Sequence, residues 1–287
     1  MSFRTDLYRG TAGYYDRFRH SYPDALIGDL VRRTGASGQG RLLDLACGTG
    51  QLAFGLRDQF AQVWAVDQEP DMVAAVRSKA DAGADAGRMV TVVSSAEDLD
   101  APAGYFSLVA IGNAFHRLPR DLVARRAYDW LAPGGFVALC WSSGAQSGPL
   151  DWQAAYGRLL QRWQEALGVS DRVPANWNQV RLDRPDSVVL SEAGFEVVGR
   201  FEFPVPHEWT VPELGGYARS LSVFPAAVLA EHSAAFDASL AEELGPFLVD
   251  GHLHETVSFA YELARKPPVA GLSPPAPAWP GQYRWML

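Results

Sequence analysis

At 287 residues, with 48% hydrophobic and 20% charged residues, the chain has an ordinary globular composition and the length of one domain carrying an added or inserted cap. A formal net charge of -8 and a pI near 5.3 argue against a nucleic-acid partner, and no apolar run reaches the roughly 18 residues of a membrane span. Cys47 and Cys140 show no CxxC spacing, which argues against a disulfide framework or a zinc site, and MSFRTDLYRG is too charged for a signal peptide, so the expectation is a cytoplasmic protein.

In chain order, GYYDRFRHSYP is a polar-aromatic cluster, and after Pro23 the segment DALIGDLVRRT repeats Leu26–Leu30 and Ile27–Val31 at helical spacing. RLLDLA reads as a strand, Leu52 and Leu56 mark a helix, and QVWAVD reads as the next strand. PDMVAAVRSKA opens on proline, a helix-start signal, and repeats Met72–Val76 on one face. MVTVVS, YFSLVAI and GFVALCW read as three further buried strands, with PRDLVARRAYDWL as the helix before the last. This alternation predicts a doubly wound, Rossmann-like α/β fold.

After Ser142 the pattern changes. LDWQAAYGRLLQRWQEAL carries Trp152, Tyr156, Leu160, Trp163 and Leu167 on one helical stripe, an insertion over one edge of the sheet. DSVVLSEAG returns as a helix stopped by Gly194, FEVVGRFEF as a strand, and residues 212–240 as helical. HETVSFAYELAR alternates like a sheet-edge strand. The expectation is seven mostly parallel strands with an antiparallel edge strand and a helical cap. It forms a single domain, 1–266, with its core at 37–141 and 186–266 and its lid or cap at 1–36 and 142–185. The proline-rich residues 267–287 read as a tail.

The stretch LLDLACGTG concentrates the chemistry. Gly48 and Gly50 sit where a strand feeds a helix, so backbone N–H groups can approach a ligand closely. GTGQLA alone also fits a dinucleotide fingerprint, but weakly. Asp44 stands inside the strand, four residues before Gly48. A buried carboxylate there is costly unless it meets a cation or several donors. Asp67 ends the next strand, where an acid can accept both hydroxyls of a ribose. Glu97-Asp98 follows the third strand and can accept an adenine amine.

With LLDLACGTG, VWAVDQEPDM, SSAEDL, IGNAFHRLP and LAPGGFVAL together, the chain resembles the class I S-adenosylmethionine-dependent methyltransferases, and within them the trans-aconitate methyltransferase-like small-molecule group. The resemblance implies S-adenosylmethionine as cofactor and S-adenosylhomocysteine as product. It implies that Asp44 and the backbone of Ala46, Gly48 and Gly50 hold the methionine moiety, and that Asp67 binds the ribose. It places Gln68 and Met72 beside the adenine, Ala96 and Glu97 at its edge, and Asn113 under the sulfonium. Tyr14, Tyr15, Arg19 and Tyr22 resemble the family's lid, although they also read as one face of an amphipathic helix.

The expected reaction is methyl transfer to a small-molecule acceptor of primary or secondary metabolism, at a hydroxyl or carboxylate oxygen. His116, just past the fourth strand, is the first candidate for a general base, and His207 in VPHEWT the second. His20, His232, His252 and His254 read as helix or surface positions. Trp141, Trp209 and Tyr217 are candidates for an aromatic acceptor wall, and equally for core. No acid cluster follows the fourth strand, so no metal is expected. A homodimer is allowed by the sequence, but no segment marks an interface. The alternatives are a protein of this fold that binds the cofactor without transferring its methyl, as a cyclase-type scaffold or a regulator, and a dinucleotide oxidoreductase.

Overall fold

The computed structural model describes residues 6–83, 85, 87–173 and 177–269; most of the proline-rich tail lies outside the described residues. Seven strands form one sheet in the order β3-β2-β1-β4-β5-β7-β6. They are β1 (Arg41–Leu45), β2 (Gln62–Asp67), β3 (Met89–Val93), β4 (Phe106–Gly112), β5 (Leu131–Ser142), β6 (Glu196–Trp209) and β7 (Leu253–Arg265). The first five run parallel, and β7 lies antiparallel to both β5 and β6.

The antiparallel strand read from HETVSFAYELAR is therefore one place in from the edge, and β6 is the edge. Pro204 and Pro206 on β6 fit this position, since a residue without an N–H is tolerated on an edge strand and not in a central ladder. Exposed Val197 and Val198 begin the same strand.

The helices are α1 (Ala12–Phe18), α2 (Asp24–Thr34), α3 (Gln51–Leu56), α4 (Pro70–Ala82), α5 (Arg120–Trp130), α6 (Asp151–Ala166), α7 (Trp177–Asp183), α8 (Asp186–Glu192), α9 (Val211–Arg219), α10 (Ala226–Leu229) and α11 (Ser233–Leu244). Their ends follow local chemistry. Gly35 stops α2 in the left-handed region. Thr210 and Glu213 cap α9 reciprocally, the Glu213 N–H donating to Thr210 Oγ1 and the Thr210 N–H to Glu213 Oε2.

Three apolar cores result. Leu26, Leu30, Leu42, Leu56, Val63 and Leu108 pack on one face of the sheet. Leu43, Leu45, Phe106, Val109, Trp130 and Leu190 pack on the other. The third lies off the sheet: Trp152, Tyr156 and Leu160 of α6 meet Leu214 and Tyr217 of α9 and Phe236 and Leu240 of α11. The long insertion helix is thus joined by helices from the β6–β7 connection, and the tryptophan stripe on α6 is largely core.

α1 reaches this cap layer through one close fit. Gly216 on α9 receives the Phe18 ring, and a methyl group at position 216 would stand 2.4 Å from Phe18 Cε2. Arg19, just after α1, donates from Nε to Ser220 Oγ at 2.8 Å and from Nη2 to the Ser220 carbonyl at 3.3 Å. On the other side Lys79 of α4 donates to Asp16 and to the Thr49 carbonyl. The N-terminal helix is fastened across the carboxyl ends of the central strands. Among the described residues no helix is long and apolar enough to cross a membrane.

Candidate functional site

The order β2-β1-β4 places the topological switch point between β1 and β4, where open α/β sheets leave a crevice at their carboxyl ends. The chain bends sharply there. Ala46 after β1 has φ 55° and Asn113 after β4 has φ 51°, in the left-handed region that side chains other than glycine seldom occupy. Gly48 and Gly50 follow Ala46 with φ 54° and 88°. At Gly48 the positive φ is what favours glycine, and a methyl group there would only touch the Tyr15 ring, at 3.4 Å.

Two cavities meet at this bend. One, of about 670 Å³, runs along the ends of β2 and β3, with Asp67, Gln68, Glu69, Met72, Ser94 and Ala96 among its walls. The other, of about 420 Å³, lies over β1 and β5, with Arg19, His20, Tyr22, Asp44, Ser142 and Tyr217 among its walls. Tyr15, Ala46, Gly112 and Asn113 line both, so they stand at the junction.

Asp44 is buried, and its Oδ2 accepts the Ala53 N–H of α3 at 2.9 Å. Burial pushes its carboxyl up to about 7, the Ala53 bond opposing and the Asp67 charge adding. Asp67 accepts the Gly48 N–H at 2.8 Å through Oδ2 and the Glu69 N–H at 2.9 Å through Oδ1, which fixes it against the glycine turn. Burial raises its pKa too, against those backbone bonds. Glu69 is 3% exposed and its Oε1 has no hydrogen-bond partner. Burial, with Asp71 and Asp67 nearby, raises its pKa. The first cavity therefore has an acceptor-rich wall with unused capacity.

The second cavity sets a cation beside Asp44. The Arg19 guanidinium lies 5.0 Å from the Tyr15 ring centroid and 4.8 Å from that of Tyr217, and donates to Ser220 and Tyr217. Among the described residues no carboxylate pairs with it. At the junction Asn113 is held by β5, its N–H donating to the Cys140 carbonyl at 2.8 Å and its Oδ1 accepting the Ser142 N–H at 3.1 Å. Burial pushes the Tyr15 hydroxyl up to about 12, so it is a neutral donor at the mouth.

The structure thus brings Asp44, Ala46, Gly48, Asp67, Gln68, Met72, Ala96 and Asn113 to the walls, with Tyr15, Arg19, Tyr22 and Tyr217. Gly50 caps α3 behind them. Glu97 is not a wall residue, although its neighbour Ala96 is. Tyr14 stacks on Phe18 away from both cavities, with ring centroids 6.1 Å apart. Trp141 lies between the Arg181 and Arg200 guanidinium groups, and buried Trp209 donates to Glu255.

His116 is not a wall residue either. Its Nε2 accepts from Arg117 Nε at 3.1 Å, and burial pushes its pKa down to about 3, with Arg117, Arg181 and Arg120 adding to the shift. His207 packs on Trp209 outside the inner cavity. His20, read as a helix or surface position, instead follows α1 and lines the second cavity. Arg117 also lines this cavity, and Glu69 and Tyr8 are wall residues absent from the sequence reading. The acidic Glu69 two residues after Asp67 was a usable signal, whereas Tyr8 arrives by tertiary packing. Among the described residues no group of three or more His, Cys, Asp or Glu side chains is placed to hold a metal ion.

A doubly wound sheet with an antiparallel seventh strand, a glycine turn after β1 and acids closing β1 and β2 defines a nucleoside-binding protein of Rossmann-like build. A family model described as a methyltransferase domain matches residues 42–135. An uncharacterized methyltransferase of Schizosaccharomyces pombe is 31% identical over 188 residues, covering 62% of this chain and 67% of that protein. An uncharacterized methyltransferase of Mycobacterium tuberculosis is 28% identical over 161 residues, 56% of this chain, and the chain spans 60% of that relative's length. Among solved structures, a protein assigned as a type II methyltransferase in Anaeromyxobacter dehalogenans superposes with a TM-score of 0.61 at 20% identity, covering 88% of this chain and 99% of that one. The cyclase SpnF superposes with a TM-score of 0.51 at 19% identity, covering 85% of this chain and 82% of its own. At such identities these structures speak for the fold alone. The chain belongs to the class I S-adenosylmethionine-dependent methyltransferases.

Proposed function

We propose that the chain transfers the methyl group of S-adenosylmethionine to an oxygen of a small molecule. The observation that carries this reading is the pair of joined cavities, one walled by Asp67 and Glu69 and the other by Asp44 and Arg19. Bound there, the cofactor supplies a methyl carbon already activated by a sulfonium. Asp67 and the unused Oε1 of Glu69 accept the ribose hydroxyls, and Met72 and Ala96 flank the adenine. Asp44 faces the ammonium of the amino-acid end, which offsets the cost of a buried carboxylate. Arg19, a cation without a carboxylate partner, takes the carboxylate of that end. Ala46, Gly112 and Asn113 hold the reacting centre between the two halves.

The protein's remaining task is alignment and exclusion of water, worth roughly 7–11 kcal/mol in well-oriented reactions. Tyr15 at the junction and Arg19 in the second cavity serve this task in the proposed reading. Ser142, Tyr22 and Tyr217 form the far wall of the second cavity, where a small polar acceptor is seated. Trans-aconitate-like acids and other hydroxylated metabolites belong to the acceptors to be tried. His116 is not the base in this reading, because guanidinium groups rather than the cavity surround it.

The test is to incubate the protein with labelled S-adenosylmethionine and a panel of carboxylic and hydroxylated metabolites and to assay S-adenosylhomocysteine. Acceptor-dependent formation of that product supports the proposal. Tight cofactor binding without turnover on any acceptor points to the binding-only alternative. Binding of NAD(H) in place of S-adenosylmethionine revives the oxidoreductase.

A further inference from the structure

His20 separates two spaces. On one side it lines the inner cavity with Arg19, Tyr22, Ser142 and Tyr217. On the other it lines an outer groove whose walls include His207, Trp209 and Glu213. His207, on β6, meets it edge-on, with ring centroids 4.5 Å apart and planes at 85°. Trp209 and Phe259 close round the pair, their ring centroids 4.9 and 5.9 Å from that of His20. The Nε2 atoms of both histidines are buried and have no hydrogen-bond partner. A buried polar atom without a partner carries an uncompensated desolvation cost. Packing alone does not account for two of them in one aromatic nest, since a phenylalanine would fill either place without that cost.

We propose that His20 accepts the proton released by the acceptor hydroxyl during methyl transfer and that His207 passes it to the outer groove. The inference rests on the methyl-transfer reading. In the reaction the acceptor oxygen bonds to the methyl carbon, the carbon–sulfur bond breaks with its electron pair left on sulfur, and the O–H proton moves to the His20 imidazole. The proton cannot stay there. Burial, His207 and Arg19 hold the His20 pKa down to about 4. Around His207 burial also lowers the pKa, but Glu213 and Glu208 oppose it, so positive charge is better tolerated on the groove side. The other ionisable groups lining the two spaces are Tyr15, Tyr22, Asp44, Cys47 and Tyr217 on the inner side and Arg17 and Asp24 on the outer; His254 of β7 lies 3.3 Å from Glu208. A base this weak suffices, because a methylated oxygen still carrying its proton is a far stronger acid than imidazolium.

The test uses the full chain labelled with nitrogen-15 in histidine and loaded with S-adenosylhomocysteine, whose binding is first measured by calorimetry. Phenol serves as hydroxyl probe and toluene as its apolar counterpart. Ring-nitrogen resonances are followed in the unaltered chain, in His20→Gln and in His207→Phe, at neutral pH and on acidification. Phenol, and not toluene, is expected to shift a His20 ring-nitrogen resonance, and the shifted signal is absent from His20→Gln. His207→Phe is expected to raise the pH at which His20 titrates, while S-adenosylhomocysteine affinity stays within about twofold, a change of roughly 0.4 kcal/mol. Equal responses to phenol and toluene, or a His20 titration indifferent to the loss of His207, overturn the proposal. If S-adenosylhomocysteine fails to bind the unaltered chain, the methyl-transfer reading itself fails, and the proton path falls with it for that separate reason.

Discussion

Asp44 costs the empty protein stability, and its titration makes that measurable. Its folded pKa of about 7 lies above the ordinary carboxylate value of about 3.9, so the folded state binds the proton more tightly than the unfolded chain does. The cofactor-free protein is therefore expected to lose stability as pH rises from about 4 towards about 7, by an amount on the order of a few kcal/mol. Asp44→Asn removes most of that slope and raises the urea midpoint at neutral pH, yet weakens cofactor binding. A pH-independent urea midpoint would contradict the assigned burial. A second residue-scale expectation concerns Arg19. Arg19→Met keeps the apolar stem against Tyr15 but removes the charge, and should weaken S-adenosylmethionine binding by about tenfold to a hundredfold while adenosine binding changes little. Equal losses for both ligands would mean that Arg19 acts through folding.

At the scale of elements, the site depends on α1 staying docked. Gly216 admits the Phe18 ring, and the 2.4 Å approach to an added methyl leaves no room for one. Gly216→Ala is expected to lift α1 from α9, taking Tyr15 and Arg19 away from the junction. Cofactor affinity should fall at least about tenfold while far-UV circular dichroism stays near that of the unaltered chain, since the sheet does not use this contact. Undiminished affinity would show that α1 is not a working lid. Little of this was legible in the sequence. Strand period and the GTG turn marked β1, β2 and β4, and acids at strand ends marked Asp44 and Asp67. The α1 contacts join residues about two hundred positions apart, such as Arg19 with Ser220, and local patterning carries no trace of them. His20 was misread for the same reason, because nothing local announces that β6 packs against it. Pro204 and Pro206 were a usable signal for the edge strand that the reading passed over, and the alternation in β7 had suggested the other one of the pair.

For the whole molecule, the cavities and the framework that carries them are expected to be separable. Asp186 is buried and pairs with Arg120 at 2.9 Å and Arg181 at 2.8 Å, tying α5 to α7 and α8. Asp186→Ala strands buried guanidinium charge and is expected to cost about 3–5 kcal/mol in urea unfolding. S-adenosylmethionine affinity of the folded fraction should be unchanged; a parallel loss would show that the framework and the cleft form one cooperative unit. The account as a whole turns on the acids after the first two strands serving a sulfonium nucleoside. Calorimetric titration of S-adenosylmethionine into the full chain and into Asp67→Asn tests this most directly. The unaltered chain should bind it and the variant should lose roughly 1.5–3 kcal/mol, the worth of a charge-assisted hydrogen bond. Binding of equal strength by both proteins, or none by the unaltered chain, would contradict it.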